Sequence, residues 1–426
     1  MINSDKERQY WVPERRGFIT NYPNFMHWKR LEEAGLAGIR EPLNIYIHTP
    51  FCAQKCSYCY YRTVQGSRKS EIDAYVDALC KEIEMAAERF DLAQRPLSSV
   101  YFGGGTPTLL TGDNLLKIRS TLDRCVNVTD ETEITVEGEP VTITDKKAQI
   151  LGELNVTRIS MGVQSLHDEI IKLSHRQDTQ ARALRAIEMS RKTGASVNID
   201  LMSGLAGDTP ETWAYSVAKA IETGVESITV YKTELYTNTE YYKELRSNKI
   251  TLPNDDEELD YMQHAMDEFA KANYVPWSFF TFTKDDKYRH VHSPSIWRGE
   301  DFYAIGASAF GRMGDYLIQN TNEVGRYIEM IEGGDLPIHR GHRMNSMDKI
   351  IRDIVLGMKL VTIDLESFYE RHGVNLPAFC KDSVDRLTKE GYIEVTDTEL
   401  KMTEKGILHG DLVGKDMTRS LMEMYT

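Results

Sequence analysis

Three cysteines fall within eight residues of this chain: Cys52, Cys56 and Cys59, spaced Cys-x3-Cys-x2-Cys in "YIHTPFCAQKCSYCYY". Three thiols on one tight loop are one too many for a disulfide and one too few for an ordinary structural zinc site. Two uses remain. A four-iron, four-sulfide cube held by three cysteines keeps one iron open for a small ligand. Alternatively, a zinc ion is completed by a distant histidine or cysteine. The other cysteines, Cys80, Cys125 and Cys380, are scattered, as small buried hydrophobes of a reducing compartment usually are.

The elements that must hold this loop can be read around it. "LNIYIHT" (43–49) is an apolar run that predicts a buried strand leading straight into the cysteines. Apolar residues at helical spacing from Ile72 to Phe90 predict a helix, with Ser70 and Asp73 as its capping box. Strands are then predicted at 98–102, 133–140, 157–164, 196–204 and 226–234, separated by helices near 112–125, 143–153, 167–193 and 210–223. Alternation of this kind predicts right-handed βαβ units and a parallel sheet. Six units fit an α/β fold with a curved, barrel-like sheet. Polar residues and glycines recur just after the strands: Gly103 to Gly105, Glu137, Gln164, Asp200 and Glu234. In parallel α/β folds that edge carries the chemistry, and the cysteine loop lies on it.

Taken together, the cysteine spacing and "YFGGGTPTLL" resemble the radical S-adenosylmethionine (SAM) superfamily. The further segments "RISMGVQSL", "HRQ", "NIDLMSGLAGDT" and "YAIGASAFG" resemble its HemN-like branch. The resemblance implies a partial (β/α)6 TIM-type barrel over 43–320, with an N-terminal extension (1–42) and a C-terminal helical, winged-helix-like module (321–426). It implies a [4Fe–4S] cluster on Cys52, Cys56 and Cys59, whose open iron chelates SAM. An electron from the cluster then splits SAM into methionine and a 5′-deoxyadenosyl radical. It also implies two SAM molecules. Tyr46, Gly104 and Glu137 would serve the first. Tyr58, Gly105, Thr106, Gln164, Arg176 and Asp200 would serve the second, joined by Glu234 and Phe310. The residue types suit these tasks: glycines let backbone approach a ligand, and Arg176 can clamp a carboxylate through paired donors.

The branch contains several reactions. The porphyrinogen oxidase has Gly-Cys after its third cluster cysteine, where this chain has Tyr60 and Tyr61. That departure favours transfer of a SAM-derived methyl or methylene group to an sp² carbon of a small natural-product substrate, by methylation or cyclopropanation. Oxidative decarboxylation of coproporphyrinogen III and a heme chaperone activity through His290 or His292 are the alternatives. Tyr231, Glu234 and His290 are the candidates for proton transfer, and Lys232 can bind a substrate carboxylate.

Composition bounds the partners. The formal net charge of −14 argues against nucleic acid and anionic membranes, and no apolar run reaches the length of a bilayer span. A cytoplasmic enzyme is expected, working with a flavodoxin or ferredoxin as reductant and, by pathway logic, beside a partner enzyme. From Asn345 onward the texture changes to short helices, a turn at Gly391 and two short strands. That winged-helix pattern is not basic, so it reads as a lid or docking module rather than a DNA reader.

Overall fold

The structure, a computed structural model, describes residues 21–31 and 42–423. The expected N-terminal extension therefore lies largely outside the described residues. The predicted strands form as β1 (Leu43–Thr49), β2 (Leu97–Gly104), β3 (Glu133–Gly138), β4 (Arg158–Gln164), β5 (Ser196–Ser203) and β6 (Ser227–Lys232). Short strands follow: β7 (Val275–Pro276), β8 (Thr281–Thr283), β9 (Asp301–Ile305), β10 (Phe310–Met313), β11 (Tyr316–Asn320) and β12 (Ile338–Arg343). Two compact units form, and neither is one continuous stretch of chain.

The first unit comprises Phe25–Asp200 and His290–Met344. Its strand order is β12-β11-β10-β9-β1-β2-β3-β4-β5. β1 to β4 run parallel, and β9 lies parallel to β1 on its other side. β10, β11 and β12 continue the sheet antiparallel. Strand β1 is buried on both faces except at Tyr46, which explains its near-continuous apolar run. The helix Lys69–Arg89 buries Tyr75, Val76, Leu79, Ile83 and Ala86 along one stripe. Its start differs from the expected Ser70/Asp73 box: Glu71 accepts the Arg68 backbone N–H at 2.9 Å, with the Arg68 guanidinium closing on the same carboxylate. Helices Gly112–Cys125, Asp145–Glu153 and Gln180–Arg191 each begin on a threonine whose hydroxyl accepts a first-turn N–H.

One acidic residue breaks the apolar stripe of Lys69–Arg89. Glu82 is fully buried and accepts from Gly306 N–H (2.8 Å), Asn320 Nδ2 (3.0 Å) and Tyr327 Oη (2.5 Å). Tyr75 completes the junction by donating to the His48 carbonyl at 2.9 Å and accepting from Ala307 N–H at 3.0 Å. Burial pushes the Glu82 carboxyl up to about 7 despite these donors. A carboxyl raised in the folded state is favourable while protonated and costs stability as pH rises toward 7. The stability of Glu82→Gln relative to the parent is therefore expected to improve by about 2 kcal/mol between about pH 5 and about pH 8. Urea unfolding of both proteins at the two pH values measures it.

The second unit comprises Leu201–Arg289 and Asn345 onward, with the described residues 21–24. Within it, the end of β5 is followed in the sheet by β6, β8 and β7. Helices Pro210–Thr223 and Asp255–Lys271 pack through Trp213, whose indole donates to the Tyr261 carbonyl at 2.7 Å. The C-terminal part pairs helix Ser346–Gly357 with Asp411–Glu423. It also forms a small antiparallel sheet in the order β13 (Thr362–Asp364), β15 (Glu399–Met402), β14 (Ile393–Val395) beside helix Lys381–Lys389. The β14–β15 hairpin follows that helix through the turn at Gly391, and β13 adds a third strand. Among the described residues, no helix is long and apolar enough to cross a membrane.

Candidate active site

The cysteine loop leaves β1 at its C-terminal end and is fastened at several points. Gly105 N–H donates to Thr49 O at 2.6 Å and Thr106 N–H to Phe51 O at 2.8 Å, which ties the loop to the end of β2. Ser57 N–H donates to Ser174 O at 3.2 Å, and Gln177 N–H donates to Gln54 Oε1 at 2.7 Å. Cys52 and Cys56 are buried and Cys59 is half-buried; none forms a disulfide. Burial pushes the Cys52 thiol up to about 12 and the Cys59 thiol up to about 11. Among the described residues, no group of three or more His, Cys, Asp or Glu is gathered to hold a single metal ion. A cube binds each thiolate through a different iron, so its thiols need not converge on one point.

The glycine run is shaped by contact. A Cβ on Gly105 would stand 2.6 Å from Phe51 O and 2.9 Å from Cys52 Sγ, and one on Gly103 would stand 2.8 Å from the Tyr46 ring. Gly104 sits at φ +112°, where a side chain would be strained, and its N–H donates to Glu137 Oε2 at 3.1 Å. Tyr101 Oη donates to the other Glu137 oxygen at 2.7 Å. Burial and the charge of Asp200 push Glu137 up to about 7, with the Tyr101 and Gly104 hydrogen bonds opposing them. Tyr46 Oη lies 3.1 Å from His48 Nδ1.

Arg176 is the hub of the second group. It donates through Nη1 to Cys56 Sγ (3.3 Å) and Tyr58 Oη (3.1 Å), and through Nη2 to Gly162 O (2.7 Å) and Asp178 Oδ2 (2.8 Å). Glu139 stands 3.9 Å away, and Thr106 Oγ1 points at Cys52 Sγ from 3.6 Å. Asp200 accepts from Asn198 Nδ2 at 2.8 Å and from Ser160 Oγ at 3.4 Å. Gln164 ends β4 at φ +69° and His175 precedes Arg176 at φ +54°; strained non-glycine backbone of this kind collects at functional sites.

Several polar atoms here are buried without a hydrogen-bond partner: Thr49 Oγ1, Gln54 Nε2, Ser57 Oγ, Glu139 Oε2, Gln164 Oε1, Arg176 Nε and Asp178 Oδ1. Each such atom costs about 1–3 kcal/mol unless something meets it. Donors and acceptors mixed in this way fit a ligand that carries an ammonium, a carboxylate and hydroxyls, as SAM does. The thiols and the cradle thus fit both groups.

Not every candidate joins this assembly. The Phe310 ring packs on Phe25 (6.0 Å) and Phe302 (6.3 Å) in an aromatic cluster. His290 and His292 lie between the start of β3 and the Tyr46–Tyr101 pair: the His292 ring stacks on Tyr101 at 4.9 Å and stands 6.3 Å from Tyr46, and His290 stands 6.4 Å from Tyr101. Glu133, the first residue of β3, accepts from Val291 N–H (2.8 Å) and His292 N–H (3.3 Å) and faces His290 at 3.8 Å, while His292 Nδ1 meets Ser99 Oγ at 2.8 Å. Burial alone would raise Glu133, but the facing His290, the bond from Val291 N–H and the charge of Arg158 hold it at about 2. Burial pulls both histidines down. His290 therefore anchors segment 290–297 through the Glu133 carboxylate that it faces. Glu133→Ala is expected to cost about 3 kcal/mol, because it strands a backbone N–H pair and a buried cation; chemical denaturation measures it.

Tyr231 and Glu234 belong to the second unit. Tyr231 is exposed and packs on Phe280 at 5.4 Å, and Glu234 accepts from Tyr236 Oη. Burial lowers Lys232 there, against the pull of Glu258 and Asp255. Four residues of the site went unread in the sequence: Gln54, Tyr101, Glu139 and Asp178. Each sits one or two places from a residue that was read, on the same strand end or loop.

Comparison with known proteins agrees with this assembly. Residues 46–220 match the radical SAM superfamily and residues 347–409 the HemN C-terminal domain. The chain is 27% identical to heme chaperone HemW of Bacillus subtilis, over 86% of this chain and 97% of that one. It is 25% identical to oxygen-independent coproporphyrinogen III oxidase of Escherichia coli, over 91% and 89%. It is 28% identical to anaerobilin synthase of Escherichia coli O157:H7, over 69% and 66%. The solved fold of Escherichia coli coproporphyrinogen III oxidase (HemN) superposes with a TM-score of 0.81 at 24% identity, covering 94% of this chain and 96% of that one. Over residues 46–220 the chain thus carries the radical SAM match, and its fold has the parallel-sheet core of that superfamily's partial barrel. Its similarity is to the HemN-like branch of that superfamily, whose cofactors are a [4Fe–4S] cluster and SAM.

Proposed function

We propose that this protein is a HemN-like radical SAM enzyme that acts on a tetrapyrrole, by oxidation of a side chain in the manner of coproporphyrinogen oxidation. The observation that carries the enzymatic part is the three-cysteine loop set against Gly103–Gly105 and ringed by buried polar atoms without partners. The substrate class is supported by the relatives, whose names all concern heme, coproporphyrinogen or a bilin. The small natural-product substrate expected from the sequence has no support among them.

When bound, the cluster and SAM supply the carbon radical that takes a hydrogen atom from the substrate. The chain supplies the rest. Cys52, Cys56 and Cys59 hold the cluster. Glu137, fixed by Tyr101 and Gly104, offers an acceptor to the first SAM, with Tyr46 beside it. Arg176, Gln164 and Asp200 present the donors and acceptors of a second SAM position next to Tyr58.

A second reading, carbon transfer from that second SAM, is favoured by Tyr60 and Tyr61 standing where the oxidase resemblance places a cysteine. Heme ligation by His290 or His292 is disfavoured by their burial against Glu133 and Ser99. Anaerobic incubation of reconstituted protein with SAM, reductant and coproporphyrinogen III separates the readings. Equal yields of carbon dioxide and 5′-deoxyadenosine support side-chain oxidation. S-adenosylhomocysteine without carbon dioxide supports carbon transfer. Stoichiometric heme binding with neither product supports the chaperone.

A further inference from the structure

Tyr60 and Tyr61 follow the last cluster cysteine directly, and their rings stack at 4.4 Å with planes 25° apart. Neighbouring residues of an extended strand point to opposite faces, so this stack requires the backbone to bend, as it does at Tyr61. The Cys59 thiol accepts the Tyr61 backbone N–H, which ties that bend to the cluster loop. The stack is not core packing: Tyr61 is 49% exposed and Tyr60 is half-buried. It is also not remote from the chemistry. The Tyr61 phenol bonds to that of Tyr60 and lies within electrostatic reach of Tyr46 and Glu137.

An aromatic face left open beside a buried polar site calls for a ligand with an apolar face of its own. Phenols at its edge suit a ring whose rim is polar. The stack presents one open face, that of Tyr61, and a flat macrocycle with a polar rim can cover that face while its rim reaches the phenols.

We infer that the Tyr60–Tyr61 stack is the platform on which the tetrapyrrole macrocycle lies, with its face against the Tyr61 ring. This rests on the tetrapyrrole reading above and adds the specificity-determining residues. Tyr61 supplies the contact face, and Tyr60 backs it and fixes its tilt.

The test uses the full chain with its cluster reconstituted, and coproporphyrin III as a fluorescent planar probe. Tyr61→Phe keeps the ring and is expected to bind within about twofold of the parent. Tyr61→Leu and Tyr60→Leu lose a face or its support and are expected to bind about tenfold more weakly, on the scale of one aromatic contact. Porphobilinogen, a single pyrrole with carboxylates, should not distinguish the variants. Iron content, measured for each protein, shows whether the loop still holds its cluster; should Tyr61→Leu lose iron, Tyr60→Leu decides. If the parent binds coproporphyrin III and both leucine variants bind it equally well, the platform is wrong and the tetrapyrrole reading stands. If Tyr61→Phe weakens binding as much as Tyr61→Leu, the phenol and not the ring face is recognised, and the platform is again wrong. If the parent binds no probe, the tetrapyrrole reading goes, and the platform with it.

Discussion

Replacing Cys56 by serine is expected to remove the iron–sulfur cluster and with it all reductive cleavage of SAM. Cys56 is buried, and its sulfur takes a hydrogen bond from Arg176, so the thiolate position is set from both sides. A cube bound by three cysteines has none to spare, and a serine oxygen is a poor replacement for a soft thiolate. Iron is expected to fall from about four per chain to below about one. Formation of 5′-deoxyadenosine under a strong reductant should drop by at least about a hundredfold, since even losses outside the ligand shell cost about 10–100-fold. Iron and sulfide determination on anaerobically reconstituted protein checks the first figure, and chromatography of the nucleoside the second. Full iron occupancy in Cys56→Ser would mean that the metal sits elsewhere.

Gly105→Ala carries the second largest expected effect, because its methyl would press on a cluster-binding thiol. The added methyl would stand 2.6 Å from Phe51 O and 2.9 Å from Cys52 Sγ. Neither neighbour is a flexible side-chain end. Phe51 O is backbone that already accepts from Thr106 N–H, and Cys52 Sγ is a cluster ligand. Either β2 withdraws and breaks the Gly105–Thr49 hydrogen bond, or the cysteine loop moves. Overpacking of this kind costs about 1–3 kcal/mol in stability. An ångström-scale shift of a ligating thiol is expected to lower cluster occupancy severalfold and SAM cleavage by about a hundredfold. Iron content and the yield of 5′-deoxyadenosine measure both, with Gly152→Ala, whose added methyl would meet nothing within 4 Å, as the control.

The sequence was most legible where local rules and the final fold agree. "LNIYIHT" forms β1 over the same residues, Leu43–Thr49, because a strand buried on both faces reads as one apolar run. The helices at 112–125 and 210–223 stand where their periodicity put them. The cysteine loop and the Gly103–Gly105 run meet as expected, since both close the same edge of a parallel sheet. Strand β9 was missed because five fully buried residues carry no alternation to read. Glu82 was missed because a buried acid on an apolar helix stripe looks like an error until Gly306, Asn320 and Tyr327 arrive from over 220 positions away. The surroundings of His290 were hidden for a related reason. Nothing near it in sequence points to Glu133, the carboxylate that it faces from 157 positions away. Long-range pairing of polar groups is what a single sequence shows least.

The central claim is that the three cysteines hold a cluster that delivers an electron to SAM. The most direct measurement is the yield of 5′-deoxyadenosine from anaerobically reconstituted protein given SAM and dithionite, compared with Cys56→Ser. The account predicts about four irons per chain, with the nucleoside formed by the parent and absent from the variant. A parent that holds its iron and binds SAM yet forms no 5′-deoxyadenosine, with or without coproporphyrinogen III, would contradict it.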